Sequence, residues 1–395
     1  MVSSLVSCIL FLCCILLPFQ ICNGQGSSTY NVMDFGAIPG GTTDSTGPFH
    51  SAWALACGDK SMSTMYVPQG LYLIKAVEFR GPCKNTTMVR IDGTLVAPND
   101  YQDLGNSSSW ILFVKVDRLS ILGGVLDAKG DGFWACRISG QNCTVGARTI
   151  TLNWVNDAQL QGLTSINSQL THVVINSCND VSVSDLSITA PEWSPNTDGI
   201  HVQSSTNVTI RNTNISTGDD CISIGPGSSN LWIDQIRCGP GHGISIGSLG
   251  RKFEEEGVQN ITVTNSVVNG SDNGLRIKTW ARPSTGFVRN VTYQNIFMQN
   301  VENPIIIDQN YCPHNYDCPG QSSGIKIEQV TYENIQGTSA TQVAMIFDCS
   351  PTNPCTAIRL QDIKLTYLNT TKAQSSCNNI GGSTVLGVIL PENCL

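Results

Sequence analysis

Short runs of alternating apolar and polar residues recur from about residue 91 to the end of the chain. They lie at 150–152, 181–183, 208–210, 231–233, 261–263, 291–293, 325–327 and 358–360. From residue 181 onward, these runs begin 27, 23, 30, 30, 34 and 33 residues apart. Alternation predicts half-buried β-strands, and a repeat of this length predicts a solenoid in which each period forms one coil.

Other all-β and mixed folds fit this pattern poorly. No helical pattern separates the runs, whereas parallel strands in a βαβ sheet need a helical crossover. An antiparallel sandwich should show turns about every 8–12 residues. The pattern therefore predicts an all-β fold, a single right-handed parallel β-helix of about ten coils within residues 25–395. Residues 370–395 are expected to form a disulfide-tied tail over the C-terminal end.

One stretch near the start has helical periodicity instead. Its apolar residues are Phe49, Ala52, Trp53 and Ala56. Their i, i+3, i+4, i+7 spacing predicts a short helix, which Asp44 or Ser45 can cap. Because repeat proteins need terminal caps, we expect this helix to cover the open N-terminal end of the core.

The first 20 residues carry no charged side chain and are mostly apolar. Pro18 interrupts the run, and Cys22-Asn23-Gly24 offers small residues for cleavage. Residues 1–24 are therefore predicted to be a secretory signal peptide. A membrane anchor is the alternative, but the run is short for a span. We expect a secreted protein with no membrane association after cleavage.

Cysteine usage agrees with export to an oxidising compartment. Of 17 cysteines, four lie in the predicted leader, which leaves 13. Adjacency favours the pairs Cys57–Cys83, Cys136–Cys143, Cys221–Cys238, Cys312–Cys318, Cys349–Cys355 and Cys377–Cys394. Sequence alone does not fix this pairing. The remaining Cys178 follows an apolar run, so we expect a buried, inert thiol.

Nine Asn-x-Ser/Thr sequons are present, and glycosylation of several is expected on a eukaryotic secretory route. They lie at Asn85, Asn106, Asn142, Asn207, Asn214, Asn260, Asn269, Asn290 and Asn369. Charged residues make up only 13% of the chain, and the net charge is −8. With no basic stripe, we expect neither a nucleic-acid partner nor binding to anionic lipid. We expect a monomer.

Four polar strings interrupt the apolar pattern in the middle of the chain. They are Asn196-Thr197-Asp198, Gly218-Asp219-Asp220-Cys221, Gly241-His242-Gly243 and Arg276-Ile277-Lys278. The intervals from Asp198 to Asp219, Asp220 to His242 and His242 to Arg276 are 21, 22 and 34 residues. Residues one coil apart become neighbours in a solenoid. These strings are therefore expected to line one face.

The acids and cations of these four strings indicate a particular kind of chemistry. Three carboxyl groups within a few ångströms repel one another, so the pKa of at least one should rise. Carboxyl groups with different pKa values suit glycosidic bond cleavage, in which one protonates the leaving oxygen and another activates water. Arg276 and Lys278 add cations that can bind a carboxylate. Carboxyl groups that can catalyse, next to cations that can bind a carboxylate, suggest that the substrate is an anionic sugar, specifically a uronic acid.

In this order and spacing, the four strings resemble the polygalacturonase family of glycoside hydrolases. The runs 239–250 and 308–313 also resemble plant members, and the similarity extends over nearly all of the mature chain. The resemblance implies a catalytic β-helix in the cell wall. It also implies hydrolysis, with inversion and without a cofactor, of α-1,4 bonds between galacturonic acids in pectin.

The resemblance also implies a role for each site residue. Asp219 would be the general acid, and Asp198 and Asp220 would hold and activate the water. His242 would tune the acid or bind the sugar. Arg276 and Lys278 would bind the galacturonate carboxylate, Tyr311 would line a subsite, and Asn196 would steady the Asp198 side.

Several alternatives remain open. The glycines at 239–247 imitate a phosphate loop, but no helical pattern follows them. His242 and the acids could ligate a metal, which two cations one coil away would oppose, so we expect no metal. A calcium-dependent pectate lyase and a non-catalytic wall-binding protein are the rival functions. Fold alone does not settle activity, but three acids at the expected positions favour catalysis.

Overall fold

The computed structural model describes residues 27–104, 107–313, 316, 318–368 and 371–395. The predicted signal peptide and the sequons at Asn106 and Asn369 lie outside these residues. Within them, the chain forms the predicted right-handed parallel β-helix. Its strands form two sheets, which we call the front sheet and the back sheet.

The front sheet has eleven strands in the described part of the chain, one for each coil. They are Val77–Arg80, Ser109–Val114, Arg148–Asn153, Val173–Asn176, Ile200–Gln203, Ile222–Ile224, Ile244–Leu249, Asn273–Trp280, Asn303–Tyr311, Val343–Asp348 and Gln374–Asn378. All of these strands pair in parallel.

The back sheet has twenty strands among the described residues. They are Ser28–Asn31, Ser63–Val67, Leu71–Leu73, Thr87–Ile91, Thr94–Val96, Asp117–Leu122, Val125–Asp127, Asn156–Gln161, Thr164–Ile166, Asn179–Ser184, Ser187–Thr189, Thr206–Ser216, Ser229–Cys238, Val258–Asn269, Phe287–Val301, Lys326–Ser339, Cys355–Tyr367, Thr371–Lys372, Ile380–Gly381 and Thr384–Leu390.

One continuous apolar core runs between the sheets. Register pairing stacks Val181, Val208, Leu231, Ile261 and Val291 on successive coils. Each of these side chains is at most 2% exposed. Stacking at about 4.8 Å, the ordinary spacing between paired strands, lets every coil extend the core of its neighbour.

The register corrects one detail of the repeat. The repeat predicts that the run at 325–327 follows Val291 at the equivalent position of the next coil. Val330 is the register partner of Val291, and Ile327 pairs with Val288. The sequence offers two alternating triplets here, 325–327 and 330–332, which are out of phase, and Gln329 between them has a positive φ of 57°. Pairing with the neighbouring coil selects between them.

An α-helix spans Thr46–Gly58 and buries the four predicted apolar residues. Asp44 Oδ1 accepts the backbone N–H of Thr46 at 3.0 Å. Trp53 packs on Phe79, the third residue of the first front-sheet strand, with ring centroids 5.1 Å apart. The capping role of this helix remains a prediction.

A second helix, Asp131–Ile138, was not predicted. It lies between a back-sheet strand and a front-sheet strand, where Cys136–Cys143 closes a short loop. Phe133 and Trp134 are fully buried in a separate small cluster. Eight residues make only about two turns, which is shorter than the window in which a helical period can be detected.

The disulfides in the described residues join the six pairs that adjacency favoured. Cys178 is a buried free thiol, and burial raises its pKa to about 11, which makes it unreactive. No helix in the described ranges is long and apolar enough to cross a bilayer.

Candidate active site

Register places the predicted strings side by side on the front sheet. The isoleucines that open three successive strands are register partners. Asp198, Asp220 and His242 each lie two residues before one of these isoleucines. Arg276 and Lys278 lie within the next strand, Asn273–Trp280. Four coils therefore bring these side chains together, as the spacing predicted.

Asp220 lies at the centre of a buried ion-pair cluster. Its Oδ1 accepts from Arg276 Nη2 at 2.6 Å and from the Ser245 hydroxyl at 2.7 Å, and its Oδ2 accepts from Lys278 Nζ at 2.7 Å. The Asp220 side chain is only 2% exposed. Burial alone would raise its pKa, but the charges of Lys278 and Arg276 hold that pKa well below its usual range.

Asp198 has the opposite electrostatic environment. Burial, together with the charges of Asp219 and Asp220, raises the pKa of its carboxyl to about 8. The Ser223 hydroxyl donates to Asp198 Oδ2 at 2.6 Å, which offsets part of that rise. One carboxyl of the cluster therefore keeps its proton at neutral pH, as mutual repulsion predicted. The carboxyl whose pKa is raised is that of Asp198.

Asp219 connects this cluster to two neighbouring polar residues. Its Oδ1 lies 3.0 Å from His242 Nδ1, and its Oδ2 accepts from Asn196 Nδ2 at 3.4 Å. The second nitrogen of His242 lies 3.4 Å from Asp272. Burial would lower the pKa of His242, but its hydrogen bond to Asp219 and the charges of Asp219 and Asp220 together outweigh burial and raise that pKa.

Asp198 is also supported by a hydrogen-bonded pair of side chains, Ser223 and His201. The Ser223 hydroxyl lies 2.7 Å from His201 Nδ1. On the other side of the ring, His201 Nε2 lies 3.3 Å from Gln203 Oε1, so the imidazole is held between Ser223 and Gln203. Burial lowers the pKa of His201, which favours its neutral form. The imidazole therefore fixes the hydroxyl that orients Asp198.

The sequence reasoning missed His201, Ser223 and Ser245 as site residues. These three residues and Arg276 are register partners on four successive strands. Ser223 and Ser245 are the middle residues of two Ile-Ser-Ile triplets. That alternation, combined with the coil register, would have placed both hydroxyls beside the acids.

The cluster lies in an open groove of about 610 Å³. Asn196, Asp198, Asp219, Lys278 and Tyr311 are among its lining residues. Lys278 Nζ lies 5.4 Å from the centre of the Tyr311 ring. A loop between two strands, residues 250–257, contributes further charged side chains to the lining. All of the predicted site residues thus lie in or beside one groove.

The geometry also bears on metal binding. Asp219, Asp220 and His242 bring possible ligand atoms within 4.8 Å of one another. Both oxygens of Asp220, however, already accept from cationic side chains. A divalent cation there would meet the positive charges of Arg276 and Lys278, so the donor set suits a carboxylate ion pair better than a metal.

Carboxyl groups in unlike environments that flank a groove are the catalytic groups of most glycoside hydrolases. The family model "Glycosyl hydrolases family 28" matches residues 57–386. The chain belongs to this family.

Relatives and solved structures agree with that assignment. The chain is 54% identical to a polygalacturonase from Prunus persica, over 93% of each protein. It is 40% identical to an exopolygalacturonase from Platanus acerifolia, over 90% of this chain and 95% of the relative. An exopolygalacturonase structure from Thermotoga maritima has a TM-score of 0.75 at 18% identity, over 92% of this chain and 93% of that one. A polygalacturonase structure from Erwinia carotovora has a TM-score of 0.68 at 24% identity, over 91% and 96%. At these identities, the structural likeness bears on the fold alone.

Proposed function

We propose that this protein is a polygalacturonase that hydrolyses the α-1,4 bonds between galacturonic acid units of pectin. One observation carries the proposal. Asp220 is held ionised by Arg276 and Lys278, while the adjacent Asp198 retains a proton, and both line the groove with Asp219. A protonated and an ionised carboxyl side by side are the two groups that this hydrolysis requires.

The proposed mechanism assigns each carboxyl a task. Asp219 protonates the leaving oxygen, and Asp198 and Asp220 hold and activate the attacking water. Because these acids interact strongly, the proton belongs to the cluster rather than to one residue. The proton that this cluster retains is therefore available to Asp219 for transfer to the leaving oxygen. Direct attack by water gives inversion at the anomeric carbon.

The remaining residues bind and orient. His242 tunes Asp219 through their 3.0 Å contact, and Asn196 steadies the other Asp219 oxygen. Arg276 and Lys278 bind the galacturonate carboxylate through the N–H groups that Asp220 leaves free. Tyr311 lines a subsite. The cations thus serve twice, since they hold Asp220 ionised and attract an anionic sugar.

The biological setting follows from the same proposal. Six disulfides within the described residues suit an oxidising compartment. We infer secretion to the cell wall, where pectin is remodelled, and action as a monomer without a cofactor. We favour cleavage within the polymer over release from chain ends. Sizing the first products from long polygalacturonate decides this point, since a ladder means internal cleavage and monomer alone means terminal cleavage.

The activity is tested by incubating the purified protein with polygalacturonate and measuring two products. Hydrolysis gives new reducing ends with no unsaturated, ultraviolet-absorbing sugar. A lyase gives both, and its rate falls when calcium is chelated. A non-catalytic wall-binding protein binds the polymer and releases nothing. Asp219→Asn serves as the control for contaminating activity, because it should release no reducing ends above background.

A further inference from the structure

The groove contains cations that the ion-pair cluster does not use. Arg276 and Lys278 both bond to Asp220, and their side chains are only 11% and 8% exposed. Arg251 and Lys252 line the same groove. Neither has a salt-bridge partner among the residues that the structure describes. An unpaired guanidinium in a groove for a polyanion is a candidate for substrate recognition.

Arg251 is held in place by its backbone and by its ring contact. Its backbone N–H donates to Glu255 Oε2 at 3.1 Å, and its carbonyl accepts from Arg282 Nη1 at 3.4 Å. The guanidinium lies 5.7 Å from the centre of the Trp280 ring, and Trp280 meets Tyr311 edge to face at 5.4 Å. The Arg251 side chain is therefore anchored beside Tyr311, one coil beyond the acids.

Among the described residues of this loop, neither Glu255 nor Glu256 forms a side-chain ion pair with Arg251. Glu255 uses both carboxylate oxygens to accept backbone N–H groups at Arg251 and at the residue before it. The Glu256 carboxylate lies against the backbone of Gly227, on the preceding coil. The Glu256 carboxylate of this loop therefore faces the preceding coil, and the Arg251 guanidinium faces the next coil.

We propose that Arg251 binds the carboxylate of a galacturonate unit next to the one being cleaved. Tyr311 contacts the ring of that unit, and Trp280 supports the guanidinium from behind. A guanidinium can accept a carboxylate in a two-point contact. This inference rests on the proposed function, and it places a recognition site on the side of the groove toward Tyr311.

The test is direct binding of a defined oligogalacturonide, by calorimetry, in an Asp219→Asn background that prevents turnover. Adding Arg251→Ala should weaken binding about tenfold, since a charge-assisted contact is lost. Adding Arg251→Lys should give an intermediate affinity. A fully methyl-esterified oligomer of the same length should bind equally with and without Arg251, because it has no carboxylate to recognise.

Arg289 provides the matched control. It also lies over an aromatic ring, with its guanidinium 4.5 Å from the centre of Phe287, but on the back sheet. Arg289→Ala should leave the affinity unchanged. An unchanged affinity in Arg251→Ala would overturn the subsite.

Steady-state kinetics on the wild-type background separates the two proposals. If the wild type hydrolyses polygalacturonate and Arg251→Ala has the same KM, only the subsite is wrong. If the wild type binds and cleaves no galacturonide, both proposals are wrong. A raised KM in Arg251→Ala, with kcat nearly unchanged, supports both.

Discussion

The two outer faces of this β-helix repeat the same coil and differ in what they stack. On the back sheet, exposed asparagines at 179, 207, 230, 260 and 290 pass hydrogen bonds from coil to coil. The front sheet stacks His201, two serines and Arg276 in one row, with acids beside it. Identical spacing supports both rows, so the chemistry of the side chains makes one face structural and the other reactive.

The two faces should also contribute differently to the free energy of unfolding. An uncharged, solvent-exposed ladder contributes modestly and uniformly, because water can replace each hydrogen bond. Buried charges on the front face are stabilised by their ion-pair partners, and the loss of one partner is strongly destabilising. Substitutions on the front face should therefore have large effects of differing sign, and those on the back face should have small effects.

The largest expected effect is on catalysis at Asp219. Asp219→Asn removes the proposed acid and should lower kcat on polygalacturonate about 1,000-fold, or about 4 kcal/mol. Asp234→Asn is the matched control, because Asp234 accepts from Asn265 in a back-face ladder. Its kcat should equal that of the wild type. A wild-type rate in Asp219→Asn would remove Asp219 from the mechanism.

Asp220→Asn should have the largest effect on stability. It leaves two buried cations without their carboxylate, and we expect a loss of about 3 kcal/mol at pH 7, measured by denaturant unfolding. Because the folded-state pKa of Asp220 is lowered, its stabilisation is present above the unfolded pKa near 4 and is lost as pH falls. The difference from the wild type should therefore shrink in acid. A difference independent of pH would contradict the ion-pair explanation.

Asp198→Asn should change stability in the opposite direction. A pKa raised to about 8 means that folding forces Asp198 to keep a proton that the unfolded chain releases above pH 4. Asparagine removes that penalty, and the variant should be more stable than the wild type by about 4 kcal/mol at pH 7, since about 1.4 kcal/mol accrues per pH unit above pH 4. Below pH 4 the two should be equally stable. Activity should be lost even though stability rises, and a destabilised variant at pH 7 would contradict the assigned environment.

Ser223→Ala tests the support of Asp198. Removing the donor raises the pKa of Asp198 further, so the alkaline limb of the pH–rate profile, expected near pH 8, should move to higher pH. We also expect kcat to fall about tenfold through loss of orientation. The profile should remain bell-shaped with an acidic optimum. An unchanged alkaline limb would disconnect Ser223 from Asp198.

The smallest effect is expected on the back face. Asn230→Ala, at a ladder position outside any sequon, breaks one contact on each side, at 3.2 Å to Asn207 and 2.8 Å from Asn260. The exposed position limits the loss to about 1 kcal/mol, and kcat and KM should not change. A marked loss of activity would mean that the two faces are not independent.

The coil arrangement and the convergence of the four strings could be predicted from the sequence, because both depend on a repeat length that is visible in it. The different protonation states of the acids could not be predicted in this way. Asp198 and Asp220 occupy equivalent positions on adjacent coils, and their pKa values move apart because only Asp220 meets Arg276 and Lys278. Sequence spacing places residues on a coil but does not say which side chains touch.

Two further features of the groove could not be predicted from the sequence for related reasons. Ser223 and Ser245 look like ordinary polar positions in alternating strands until the register brings them to the carboxylates. Arg251 lies in a loop rich in charged residues, a composition typical of a solvated surface, and only its contact with Trp280 marks it as fixed in the groove.

The anomeric form of the first product tests the central claim most directly, and proton NMR during hydrolysis of a defined oligogalacturonide measures it. Attack by a water held among carboxyls from neighbouring coils predicts that the β-anomer of the new reducing end forms first and then mutarotates. Initial formation of the α-anomer, or of an unsaturated sugar, would contradict the proposed mechanism.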